Sequence, residues 1–168
     1  MLALLQFVLF QGAWFLCAIM AGNDWVEWAW LPMTCFGLGY IAIVSSQKKA
    51  DLQMLIASGC LGFVLDSILL HFGIFSTPHL DLCSPLWLVS MWMGFSVAFS
   101  MGLYRITKLP WYVILLVASV GGYASYRAGA GFGGIVLHPN SDIAMAGIML
   151  EWIFAFPLLL FMYRKLTL

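Results

Sequence analysis

GFVLDSILLHFGIF, residues 62–75, places an aspartate and a histidine inside an otherwise apolar run. An acid in a lipid-embedded helix costs several kcal/mol unless it is paired, protonated or turned to water, so the setting of this segment decides both fold and function. The composition answers the first question. Of 168 residues, 64% are hydrophobic and 8% charged, and the mean hydropathy is +1.01, outside the range of soluble globular chains. A spanning helix takes about 20 mostly apolar residues, which leaves room for about six spans and none for a soluble domain. The expected fold is all-α: a polytopic membrane protein, with residues 1–168 forming one compact bundle of six transmembrane helices.

Charges, Pro and Asn collect in AGNDWVE, SSQKKAD, STPHLDLCSP, YRITKLP and LHPNSD. These breaks set spans near 2–21, 28–46, 52–74, 86–104, 111–134 and 143–163. The first is expected to be a retained helix rather than a signal peptide, because it has no basic leader and its apolar run is long enough to span. Lys48, Lys49, Arg105, Lys108, Arg164 and Lys165 all fall on one side, and the opposite loops hold Asn23, Asp24, Glu27, His79, Asp81, His138 and Asp142 without Lys or Arg. Retention of basic residues in cytoplasmic loops then puts both termini in the cytoplasm. Trp25, Trp28, Trp30 and Trp87 are expected at the outer headgroups and Trp111 at the inner ones. No internal repeat is evident between the spans.

Several classes drop out. With 7 Lys+Arg against 7 Asp+Glu and no basic run, nothing offers a footprint for nucleic acid. Cys17, Cys35, Cys60 and Cys83 form no CxxC and have no histidine at ligand spacing, so neither a metal site nor a redox pair is expected. GGYASYRAGAGFGG lacks the lysine of a phosphate loop. No HExxH or GxSxG occurs, no catalytic residue can be assigned and no cofactor is implied.

What remains is a set of polar and aromatic groups inside the spans. Helices in lipid pack through small residues spaced by four, and Ser90/Gly94/Ala98/Gly102 and Gly121/Ser125/Gly129/Gly133 are such ridges, expected to meet neighbouring helices. Asp66 shares a face with Gly59, Gly62 and Gly73, and Glu151 lies between Gly147 and Ala155, so both should point into the bundle, roughly 12 Å below the outer ends of their spans. Arg127 is at comparable depth and either pairs with one of them or snorkels to the headgroups. Two acids facing each other without it would hold a proton between them. His71 lies about 140° around the helix from Asp66 and belongs to the outer interface. Gln6, Gln11, Tyr123 and Tyr126 add hydrogen-bonding groups of the kind that tie helices together.

GFVLDSILLHFGIF, SPLWLVSMWMGFSVAFSMGL and GGYASYRAGAGFGG together resemble a bacterial family of small six-span inner-membrane proteins known only as a domain of unknown function. Gly62, Asp66, Ser67, Gly73 and Phe75 match its pattern GxxxDSxxxxxGxF. Pro85, Leu86, Trp87, Leu88, Trp92, Gly94 and Phe95 match PLWLxxLWxGF, and Gly121, Gly122, Tyr126, Ala128, Gly129 and Gly133 match GGPxxYxAGxxxGA. Tyr123 stands where the family has proline, and SVAFSM replaces a more polar run. The resemblance implies a multi-pass location in a bacterial inner (plasma) membrane and a lipid-related task. In architecture alone the chain is also similar to the substrate-binding subunits of vitamin uptake transporters and to a small cell-shape membrane protein.

The preferred reading is a non-enzymatic binding or transport component. Its site is a cavity in the outer half of the bundle, made by Asp66, Glu151, Arg127, Trp87, Trp92 and Tyr126, for a lipid or small hydrophobic ligand. A structure with no cavity reaching Asp66 or Glu151 would sink this reading, and a closed bundle would favour a scaffold. The alternatives are an accessory subunit or enzyme of membrane fatty-acid or lipid modification, and a scaffold for another membrane protein.

Overall fold

The computed structural model describes residues 2–79 and 81–167. Six helices follow one another: α1 (Leu2–Ala21), α2 (Leu31–Ile43), α3 (Lys48–His71), α4 (Leu86–Ser100), α5 (Trp111–Gly131) and α6 (Ser141–Thr167). Two short strands, β1 (Phe75–Ser76) and β2 (Val136–Leu137), follow α3 and α5 and pair antiparallel at one end of the bundle. Leu4, Leu9, Phe15, Leu116, Phe154 and Phe161 are among the many large apolar side chains on the outside, the inversion of surface character that a lipid solvent requires. The chain is an all-α multi-pass membrane bundle with five helical stretches long and apolar enough to cross a bilayer: 4–21, 26–43, 48–71, 111–131 and 141–166.

The fourth expected span is the exception. α4 has 15 residues, about 22 Å at 1.5 Å per residue and short of an approximately 30 Å hydrocarbon core. It stops where Gly102 takes a φ of +126°, and a 3-10 segment, Leu103–Lys108, carries the chain towards α5. α5 runs unbroken through the glycine-rich stretch as far as Gly131. α6 is longer than expected and carries Pro157 in its interior, which removes one backbone donor without ending the helix. Its start is capped by Asn140, whose side-chain oxygen accepts from the N–H of Asp142 at 2.9 Å.

An internal repeat, unseen in the sequence, organises the last two thirds of the chain. The unit α3-β1-α4 recurs as α5-β2-α6, and the offset is the 60 residues that separate Asp66 from Tyr126. Gly62 and Gly122, Phe72 and Phe132, Gly73 and Gly133, and Trp92 and Trp152 are identical pairs at that offset. α3 and α5 end in the same turn. Gly73 and Gly133 take φ of +66° and +85°, and their N–H groups reach the carbonyls of Leu70 and Ala130 at 3.0 Å, a left-handed helix ending that favours glycine. In the strand pair, Ser76 faces its own equivalent, Val136, as a local two-fold axis demands. The repeat hides because only turns and close contacts demand a particular residue; elsewhere one apolar side chain replaces another at little cost.

The two-fold is broken at one seam. α3 packs closely along α6, whereas the equivalent contact of α5 with α4 is nearly absent. α2 covers the far side of α4, with Met33 pressed onto Gly94. α1 leans on α2 and the edge of α4. A crevice remains between α1 and α5.

Candidate functional site

Asp66 is fully buried and sits where α3, α4, α5 and the loop before α4 converge. Oδ1 accepts the phenolic hydrogen of Tyr126. Oδ2 accepts Trp92 Nε1–H at 2.8 Å and, at 3.4 Å, the hydroxyl of Ser84. The loop is itself tied to α3, because the N–H of Ser84 reaches Ser67 Oγ at 3.0 Å. Three donors around one carboxyl are what a buried acid needs.

Backbone clearance makes this cluster possible. A Cβ on Gly62 would lie 2.0 Å from the indole of Trp92, and one on Gly122 would lie 2.2 Å from that of Trp152. Each indole therefore lies against a bare backbone one turn before Asp66 or Tyr126. Across the local two-fold the two indoles stack, with centroids 5.0 Å apart and planes at 14°, and Phe95 meets Trp152 edge-on at 5.2 Å. Offset and edge-on contacts are the favoured aromatic geometries.

Glu151, beside Trp152 on α6, stands close enough to Asp66 and Tyr126 to interact electrostatically. Its oxygens are buried without a well-aligned donor among the described residues, although the Tyr126 hydroxyl, given to Asp66, lies within reach, and the buried Trp152 Nε1–H has no acceptor among them. Arg127 does not supply the missing charge: it lies on the exposed side of α5 and takes no part in the surroundings of either acid. Trp87 is not a headgroup ring. It is buried, with its ring against Gly134, and its carbonyl accepts from Ser90 Oγ at 2.7 Å. Of the six residues singled out in the sequence, Asp66, Tyr126, Trp92 and Glu151 come together, Trp87 packs nearby and Arg127 stands apart.

The crevice between α1 and α5 has a volume of about 440 Å³. Phe10, Gln11 and Trp14 form one wall, Gly121, Ala124 and Ser125 the other, and Trp92, Phe95, Trp152 and Phe156 the floor. A smaller recess of about 40 Å³ touches Trp87 and Tyr126. Neither is lined by Asp66 or Glu151, so among the described residues neither space reaches the acids, and the binding reading centred on them is overturned; Trp92, which bonds Asp66, lines the crevice instead. The expected packing of the α5 ridge also fails at Gly121, Ser125 and Gly133, which are exposed, and holds at Gly129, which is buried. Gln6, Gln11 and Tyr123 tie no helices together, for their side chains make no hydrogen bond with any described residue.

A third buried acid lies outside the residues singled out in the sequence. Asp51, in the first turn of α3, accepts hydrogens from Ser45 and Ser100, each at 2.6 Å. It stands among the loop charges of SSQKKAD, yet it continues the buried stripe Leu55, Ser58, Gly62, Asp66 at helical spacing. Among the described residues no three His, Cys, Asp or Glu side chains gather as a metal would require, and the four cysteines are unpaired.

A family model described as "Protein of unknown function (DUF2878)" matches residues 3–158. No curated protein and no solved structure matches the chain significantly.

Proposed function

The chain belongs to that family of unknown function, and from this premise we propose that it is a non-enzymatic binding component for a small lipophilic molecule drawn from the bilayer. The observation that carries the reading is the open α4–α5 seam. A crevice of about 440 Å³ lies within the approximately 300–1,000 Å³ of ordinary ligand sites, and its lining is mostly apolar and aromatic. Asp66, Tyr126 and Glu151 act behind the floor rather than on the ligand. Asp66 holds the Trp92 indole at a fixed angle, and the buried network keeps α3, α4 and α5 in register.

The placement of charge supports an orientation for this component. Lys48, Lys49, Arg105, Lys108, Arg164 and Lys165 lie at the end of the bundle opposite the strand pair. The proposed location is a bacterial inner membrane with the termini and these residues in the cytoplasm. α4 with its 3-10 extension completes a sixth, thinner crossing.

Native mass spectrometry of the gently extracted protein tests the binding reading. A defined small molecule bound to the wild type, and lost in Gly121→Leu/Ser125→Leu of equal folded yield, is expected. Bulk phospholipid alone, or a second membrane protein seated on the small-residue face of α5, would replace it with the scaffold reading.

A further inference from the structure

The broken two-fold identifies what makes the crevice and what it excludes. α3, which packs closely along α6, carries Leu61 and Leu65, both packed against the core. Their equivalents at the open seam are Gly121 and Ser125. A Cβ added at Gly121 would meet nothing within 4 Å. Part of the space is therefore the volume of two side chains that one repeat has and the other lacks.

Its chemistry is specific. No lining residue is ionisable, which disfavours a charged ligand in a site with no counter-charge. The mouth lies between α1 and α5, whose outer faces carry exposed Leu9, Leu16, Leu116 and Val120, so entry is from the hydrocarbon layer. The floor is the Trp92–Trp152 stack with Phe95 edge-on; the indole faces are taken up by each other and by the backbone at Gly62 and Gly122, which leaves ring edges for the crevice. Gln11, halfway along α1, is the one amide on the wall, and its side chain has no hydrogen-bond partner among the described residues. An amide at that depth has no water to turn to, and either its donor or its acceptor is met by whatever fills the slot.

Resting on the binding reading above, we propose that the crevice takes a neutral lipid with a flat conjugated group and a carbonyl or hydroxyl oxygen, the chemistry shared by isoprenoid quinones and polyene alcohols. The face of the conjugated group packs on the ring edges of Trp92 and Trp152, the edge-to-face geometry that aromatic contacts favour, and the oxygen pairs with the Gln11 carboxamide. The rest of the chain leaves between α1 and α5 into the bilayer.

The test uses the full-length protein in nanodiscs of uncharged phospholipid, titrated with decylubiquinone and separately with palmitic acid, following tryptophan fluorescence. Saturable quenching by the quinone is expected, abolished in Gly121→Leu/Ser125→Leu and weakened about 5- to 10-fold in Gln11→Leu, the loss of one hydrogen bond. Quinone binding unchanged by Gln11→Leu overturns the assignment of the oxygen. Saturable binding of palmitic acid without the quinone overturns the ligand class while the crevice remains a binding site. A crevice-dependent ligand found by mass spectrometry that is charged or fully saturated does the same. Absence of any crevice-dependent ligand in both experiments removes the binding reading itself.

Discussion

Trp92 and Trp152, equivalent residues of two repeats, stack at 5.0 Å across a local two-fold, each with its indole against a glycine of the preceding helix. The relationship ties the acid network to the crevice, because Trp92 bonds Asp66 on one side and floors the open space on the other.

Neighbouring glycines should therefore respond in opposite ways to the same methyl group. Gly62→Ala and Gly122→Ala place a Cβ 2.0 and 2.2 Å from an indole and should each cost about 1–3 kcal/mol by overpacking. Gly121→Ala meets open space and should be neutral or slightly stabilising, since alanine favours helix over glycine. Thermal unfolding in one detergent, read on all three variants, checks the contrast; equal effects would mean that the indoles do not lie where described.

Asp66 and Tyr126 should be strongly coupled. Tyr126→Phe removes one donor from a buried carboxyl and should cost about 1–3 kcal/mol. Asp66→Asn turns an acceptor into a donor opposite Tyr126 or opposite Trp92 and Ser84, so it should cost at least as much. A double-mutant cycle on unfolding free energy should return a coupling of about 1 kcal/mol or more, and additive effects would remove Tyr126 from the network.

Glu151 should behave differently from Asp66 although both are buried acids. No well-aligned donor serves it, and the one hydroxyl within reach, that of Tyr126, is given to Asp66, so Glu151→Met, which keeps the length and discards the carboxyl, should be neutral or stabilising. The same replacement at Asp66 should be strongly destabilising, because it strands three donors. Melting temperatures of the pair of variants decide this. A destabilised Glu151→Met would reveal a partner for Glu151 that the protein supplies in some other way.

Cysteine labelling checks the proposed orientation. Cys83, between β1 and α4, is exposed, whereas Cys17 is buried and within 3.7 Å of the Trp87 carbonyl. A membrane-impermeant maleimide applied to the outer face should modify Cys83 and leave Cys17 untouched. Protection of Cys83 until the membrane is breached would reverse the topology.

The sequence by itself determined the solvent and the elements. Apolar runs of spanning length, with basic residues at alternate breaks, fix helices in lipid, because these properties depend only on residue type and spacing. It also placed Asp66 and Glu151 towards the interior, because small residues at helical spacing mark the buried face of a lipid-embedded helix. Only the tertiary structure decided which acid receives donors, that Trp87 is interior, and that Asp51 belongs to the buried stripe of α3. It also decided that the cavity ends at the indoles instead of the carboxyls. The physical reason lies in the repeat. Hydrogen-bond partners and open volume arise between helices far apart in the chain, and the crevice exists in part because Gly121 and Ser125 stand open where α3 carries Leu61 and Leu65, packed against the core. Residue type marks a small side chain, but only packing tells whether a neighbouring helix closes upon it or leaves room.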